Sequence, residues 1–283
     1  MNCIFVSDLH GNIKRYNKLF EIIEKEKPNA VFFGGDLLPN QFSINEEVDR
    51  FLDKQIFSKI TDIKKKLSKK IRFFIIMGND DPRVFEKILI NADGKGIIDY
   101  VNEKTVPFED FFVTGYSYVT PTPFQLKDWE RYDVSRYVDI GSISPEEGIR
   151  SVDVNNDIVR YSTIADDLKK LGKNAPVDKT IFLFHSPPYD SGLDRASLDG
   201  KSVDHAPLDV HIGSIAIQRF IRKNHPMLTL HGHVHESFGL TSIWKEKKGN
   251  TFSYSSANNN GNLVLVRFNT SNLKNATREE IKV

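Results

Sequence analysis

Five short apolar runs in this chain each break off at residues able to hold a metal ion. NCIFVS (2–7) runs into Asp8-Leu9-His10, AVFFGG (30–35) into Asp36, and IRFFIIM (71–77) into Gly78-Asn79-Asp80-Asp81. TIFLF (180–184) ends in His185, and MLTL (227–230) runs through His231 and Gly232 to His233 and His235. Runs this apolar suit the middle of buried strands, and helical patterns follow the first three. From Asn12, an N-cap residue type, Ile13, Tyr16, Leu19, Phe20 and Ile23 recur at helical spacing as far as Pro28. Val48, Phe51, Leu52, Ile56, Ile60, Ile63 and Leu67 trace one face of a long helix, and a third helix is predicted over 83–90. Repeated strand–loop–helix units imply an α/β chain with a largely parallel sheet and helices on its faces. Ligands of such sheets bind just beyond the carboxyl ends of the strands. The polar residues that end these runs therefore converge on one edge.

The remainder is read more coarsely. Residues 116–178 are taken as loops and an insertion over the core, with a helix around 157–171 and the aromatic segment Trp129–Tyr137 packed within it. A helix is predicted near 213–223. The tail segments 251–259 and 262–268 read as antiparallel strands joined by an Asn/Gly turn, and Lys245–Gly249 as a hairpin turn. Lys64–Lys66 with Lys69 and Lys70 form the solvated end of the long helix. There is no internal repeat, and the length allows one large or two small domains.

The formal net charge of +1 gives no global electrostatic case for nucleic-acid or membrane binding. Cys3 is the lone cysteine, so no intrachain disulfide forms and a reducing compartment is expected. The first residues lack a basic leader and no apolar run reaches transmembrane length, so a cytoplasmic protein is expected.

Desolvated carboxylates at strand ends have to be paired or bound to metal. Asp8 and His10 are two residues apart, as are His233 and His235. In extended backbone such pairs project to one side and can grip one ion. Gly11 and Gly232 beside them allow a sharp bend or a close backbone approach. Asp36 has two oxygens and can bridge two cations, Asn79 offers an amide oxygen, and His185 an imidazole. These seven donors, two carboxylates, one amide and four imidazoles, contain no thiolate and suit Mn, Fe or Zn.

The series Asp8-x-His10, Gly35-Asp36, Gly78-Asn79-x-Asp81, His185 and Gly232-His233-x-His235 resembles the five ordered motifs of the calcineurin-like metallophosphoesterases. The resemblance implies a four-layer α/β/β/α sandwich, two mixed sheets flanked by helices, as one domain over residues 1–283. It implies one metal on Asp8, His10, Asp36 and His235 and a second on Asp36, Asn79, His185 and His233, with Mn favoured and Asp36 as the bridge. Two such ions roughly 3.5–4 Å apart share a water and direct the resulting hydroxide at phosphorus. A small phosphoester is then the substrate.

One position departs from the pattern. Many members of that family carry His after the motif-three Asn, and this chain has Asp80. With an ordinary pKa of about 3.9, lowered further by two cations, Asp80 should be ionised at neutral pH and a poor proton donor. Asp81 is expected to organise the loop ahead of Pro82. His211 is a candidate for the missing donor, or for a phosphate contact, because Gly213-Ser214 and a helix start follow it and a helix N-terminus can bind an anion. His205, His225 and His231 read as ordinary structural histidines. Three functions stay open: a phosphodiesterase, which is favoured; a phosphomonoesterase, including a phosphoprotein phosphatase; and a non-catalytic interaction scaffold of the same fold.

Overall fold

A computed structural model describes residues 1–39, 46–67 and 70–283. Lys69, in the expected solvated helix end, lies outside them. The first half alternates strand and helix: β1 (Asn2–Val6), α1 (Ile13–Glu26), β2 (Ala30–Gly34), α2 (Glu46–Phe51), α3 (Ser58–Lys66), β3 (Arg72–Ile76), α4 (Glu86–Gly94) and β4 (Asp99–Tyr100). A π-helical stretch, Leu52–Phe57, joins α2 to α3. Then come β5 (Thr105–Phe108), β6 (Phe111–Tyr116), α5 (Asn156–Tyr161), α6 (Ile164–Leu171) and β7 (Thr180–Phe184). The last part holds β8 (Ser202–Val203), β9 (Ala206–Pro207), α7 (Ile215–Asn224), β10 (Leu228–His231), α8 (Ser237–Thr241), β11 (Lys245–Lys248), β12 (Thr251–Ser255), β13 (Leu263–Asn269) and β14 (Asn272–Ile281).

The strands make two mixed six-stranded sheets, ordered β14-β13-β1-β2-β3-β4 and β11-β12-β10-β7-β6-β5, plus the small β8-β9 hairpin. In each sheet a parallel block, β1-β2-β3-β4 or β12-β10-β7-β6, carries antiparallel strands at its flanks. Alternation along the central strands explains the layering. Phe5, Phe32, Phe74, Ile181, Leu183, Leu228 and Leu230 belong to the core between the sheets, with Phe108, Tyr254 and Phe268. Their neighbours Ile4, Val6, Phe33, Phe73, Ile75, Phe182 and Phe184 join a second core with Tyr16, Leu19, Ile60, Leu89, Ile217 and Phe220 of the helices. Both faces of these strands are thus buried, which is why they read as continuous apolar runs. The two mixed sheets flanked by helices agree with the expected sandwich.

Three local expectations are corrected. The tail segments do not pair with each other: β12 lies beside β10 and β11, β13 beside β1 and β14, so the Asn258–Gly261 link crosses between sheets. Lys245–Lys248 is strand β11, and its turn falls at Gly249-Asn250. The helix expected over 157–171 breaks into α5 and α6, because Thr163 is extended and its hydroxyl accepts from the Asp166 N–H as a new N-cap. No described helix is long and apolar enough to cross a membrane.

Candidate metal centre

The five polar run ends meet where both sheets present their carboxyl edges. Three backbone bonds continue the β1–β2 pairing past the strands: Asp8 N–H to Gly35 O (3.0 Å), His10 N–H to Asp36 O (2.8 Å) and Gly11 N–H to Leu37 O (2.9 Å). Helix α1 pins both loops. The Arg15 guanidinium donates to the Asp8 carbonyl (2.9 Å) and the Tyr16 hydroxyl to that of Leu37 (2.9 Å).

Strand alternation is not what pairs Asp8 with His10. Asp8, His10, Asp36 and His233 have φ of 55°, 46°, 52° and 73°, left-handed values that non-glycine residues adopt at a cost of about 1–3 kcal/mol each. Close approach is equally demanding. A Cβ on Gly78 would lie 2.2 Å from Asp36 Oδ1 and 2.7 Å from His185 Cε1, and one on Gly232 would lie 2.7 Å from Asp8 Oδ2. Only glycine lets these loops close around the cluster.

One ligand atom each from Asp8, His10, Asp36 and His235 lies within 4.8 Å of the others. His235 Nε2 is 3.2 Å from His10 Nε2 and 3.3 Å from Asp8 Oδ1. On the other side His185 Nε2 is 3.0 Å from Asn79 Oδ1 and 3.3 Å from Asp36 Oδ2, and its ring centroid is 5.2 Å from that of His233. Asp36 Oδ1 accepts the Asp80 N–H (2.9 Å), which leaves Oδ2 facing His185 and, at 3.9 Å, His10. The structure therefore brings all seven expected donors together, with Asp36 between the two groups. The oxygen and imidazole donors of the first four fit a divalent cation, while the buried Cys3 thiol sits back in β1.

Outer partners fix the orientation of these groups. His185 Nδ1–H donates to the Gly34 carbonyl (2.7 Å), leaving Nε2 for the site. Asp8 accepts the Ser7 hydroxyl and the His233 N–H. Asn79 Nδ2–H donates to Asp80 Oδ1 (2.9 Å), which turns the Asn79 oxygen inward. Asp81, fully buried, accepts the N–H groups of Gly78, Leu37 and Leu38 at 2.8–3.0 Å and so locks the β2 and β3 loops together. Beneath it the buried Trp129 indole donates to the Asp81 carbonyl (2.8 Å). Of the Trp129–Tyr137 segment, Trp129, Glu130 and Tyr132 are buried while Tyr137 is exposed, and Trp129 also supports the site.

Burial opposes protonation of His235, but its hydrogen bond to Asp8 and the charges of Asp8 and Asp36 outweigh it, raising its pKa to about 9. His185 rises to about 10, against burial, chiefly through Asp36. Burial and the neighbouring His185 charge take His233 down to about 3. His235, with His185 and His10, holds Asp8 well below the carboxylate range, and His185 with His10 holds Asp36 at about 2, against burial in each case. A cation needs the lone pairs that these protons occupy, so its uptake releases protons. Affinity for Mn²⁺, measured by calorimetry, should rise roughly tenfold or more per unit between about pH 6 and about pH 8. A flat profile would show that His185 and His235 are not ligands. Asp80 differs from expectation: burial first, and then Asp36, raise its carboxyl to about 6, whereas the expected lowering rested on the cations alone.

His211 lines the cavity that contains Asp36, Asn79, His233 and His235. Its Nδ1 lies 2.8 Å from Asp194 Oδ1, a fully buried carboxylate that also accepts the N–H groups of Asp190, Ser191 and Gly213. Asp194 escapes a reading of the sequence because it sits 17 residues from His211 with no motif around it. The anion site expected at the following helix is a correction: Asp133 fills the α7 N-terminus, accepting from Ser214 Oγ and the N–H groups of Ile215 and Ala216. His231 is a buried core histidine, bonded to Ser186 O and Thr229 Oγ1, with its pKa lowered to about 4 by burial. His225 is the left-handed C-cap of α7, and His205 sits in the β8–β9 turn.

A two-sheet α/β sandwich with a metal-competent cluster at the joined carboxyl edges defines the class. The calcineurin-like phosphoesterase family model matches residues 1–237, and the chain belongs to that family, whose members depend on a dinuclear metal centre. No match was found among curated proteins. Among solved structures, TT1561 of Thermus thermophilus is 14% identical with a TM-score of 0.57, over 99% of each chain. A dimetal phosphatase from Danio rerio is 10% identical with a TM-score of 0.55, over 99% of this chain and 96% of that one. At these identities the likeness concerns the fold.

Proposed function

We propose that the chain is a dinuclear-metal phosphoesterase that favours phosphodiesters and works best with Mn²⁺. The observation that carries this is Asp36, whose Oδ2 lies between His185 and His10, each within a donor group of its own. One cation takes Asp8, His10, Asp36 and His235; the other takes Asp36, Asn79, His185 and His233. Bound together, such cations lower the pKa of a water and neutralise phosphoryl oxygens. Asp80 is a positioning residue, because its carboxylate aims the Asn79 amide. The leaving oxygen receives its proton from His211, whose Nδ1–H is held by Asp194 and whose Nε2, the proton-carrying atom, lies 3.8 Å from Asp190 Oδ1. Among the described residues lining the cavity, none is Lys or Arg. A monoanionic diester needs less positive charge there than a dianionic monoester, which favours diesters.

Turnover of bis(p-nitrophenyl) phosphate by the Mn²⁺-loaded protein should exceed that of p-nitrophenyl phosphate. Faster monoester cleavage would overturn the diester preference. Hydrolysis of neither would overturn the enzyme reading and leave an interaction scaffold.

A further inference from the structure

The metal centre opens into a cavity of about 380 Å³ whose other walls are made of segments that supply no ligand. That volume suits one small organic group, since ligand pockets run from roughly 300 to 1,000 Å³. Its walls beyond the donors are largely apolar: Pro121, Pro123, Phe124, Ile140, Leu198 and Leu208. Phe124 and Ile140 remain 59% and 46% exposed, an unfavourable contact with water that a ligand would relieve. The carboxyl groups along the same walls beyond the donors are Asp80, Asp139, Asp209 and Glu236, and His211 adds one imidazole.

These walls are built, not slack. Thr122 donates its N–H (2.7 Å) and its hydroxyl to Glu130. Lys127 Nζ donates to the Thr122 carbonyl (2.8 Å) and to Glu130, and both members of this ion pair are fully buried. The Ile143 N–H also reaches Thr122 O (2.9 Å), and Thr120 Oγ1 donates to Ile212 O (3.2 Å). Three wall segments, 120–124, 139–143 and 208–212, are thereby tied to one another. A pre-organised wall keeps its shape before the ligand arrives, so binding loses less entropy to ordering it.

We propose, building on the phosphoesterase reading above, that this cavity seats a compact apolar ester group and selects singly phosphorylated substrates that carry one. Nucleoside di- and triphosphates, polyphosphates and nucleic acids are disfavoured, since each brings further negative charge against Asp80, Asp139, Asp209 and Glu236 with no guanidinium or ammonium among the described lining residues to offset it. A single nucleoside ester is disfavoured because its polar sugar and base do not suit the apolar wall. The phosphoryl group faces the metal centre while the apolar group lies against Phe124, Ile140 and Leu208.

Two measurements on the Mn²⁺-loaded protein test this. In turnover, phenyl p-nitrophenyl phosphate should show kcat/KM about tenfold above that of methyl p-nitrophenyl phosphate, and above that of thymidine 5′-(p-nitrophenyl phosphate). Phe124→Ala, a change at an exposed position, should raise KM for the phenyl diester about tenfold and for the methyl diester by a much smaller factor. In calorimetry without turnover, phenylphosphonate should bind about tenfold tighter than methylphosphonate, and Phe124→Ala should shrink that gap. Equal values for phenyl and methyl compounds, a preference for the thymidine ester, or no response to Phe124→Ala would each overturn the proposal. Tighter phenylphosphonate binding with no hydrolysis of any ester would support the apolar seat and overturn the phosphoesterase reading instead.

Discussion

An Asp36→Asn variant should lose cation binding and the proposed phosphoesterase turnover together while it stays folded. The loss of rate should exceed the roughly 10- to 100-fold that removal of an outer partner costs at a metal site, because Asp36 is shared by both donor groups. Asparagine matches aspartate in shape, and its oxygen can still accept the Asp80 N–H that Asp36 Oδ1 accepts. What disappears is the anionic Oδ2 between His10 and His185. Elemental analysis of the purified variant gives the metal content, circular dichroism the fold, and bis(p-nitrophenyl) phosphate the rate. Two retained cations with parental turnover would sink the bridging role.

His211→Ala separates substrates by leaving group. Esters of poor leaving groups should slow about 10²- to 10⁴-fold, the range for a lost general acid, and p-nitrophenyl esters far less. Asp194→Asn should reproduce the pattern in weaker form, since Asp194 acts through the His211 ring it holds. A uniform slowing across leaving groups would assign His211 a structural role. No slowing at all would remove it from the reaction.

The expected ligands stand out in the sequence because physics leaves few ways to write a strand buried on both faces that ends in charge. Phe5, Phe32 and Phe74 face one core while Ile4, Phe33 and Phe73 face the other, so the runs stand out and their polar ends stand out further. The path of the backbone through those ends was not legible. Four of the expected ligands adopt left-handed φ, a choice that neighbouring loops enforce and residue type does not announce. Edge strands were also obscure: β14 is NLKNATREEI, mostly exposed and polar, and it is a strand through its pairing with β13. Charges that find partners far along the chain, such as Asp194 with His211 and Asp133 with α7, leave no local pattern.

The ion pair of Lys127 with Glu130 bears on how such a chain can diversify. It braces a recognition wall drawn from the long β6–β7 and β7–β10 connections, whereas the proposed cation ligands sit on the short loops and turns that end the central strands. Connections of that kind tolerate replacement far better than strand ends do. The expected cation donors and the apolar wall thus lie largely in different stretches of one polypeptide, with His211 and Trp129 as the points where they meet. Exchanging the loop around Phe124, with Lys127, Trp129 and Glu130 kept as its cornerstone, should change the wall while the expected donors stay in place.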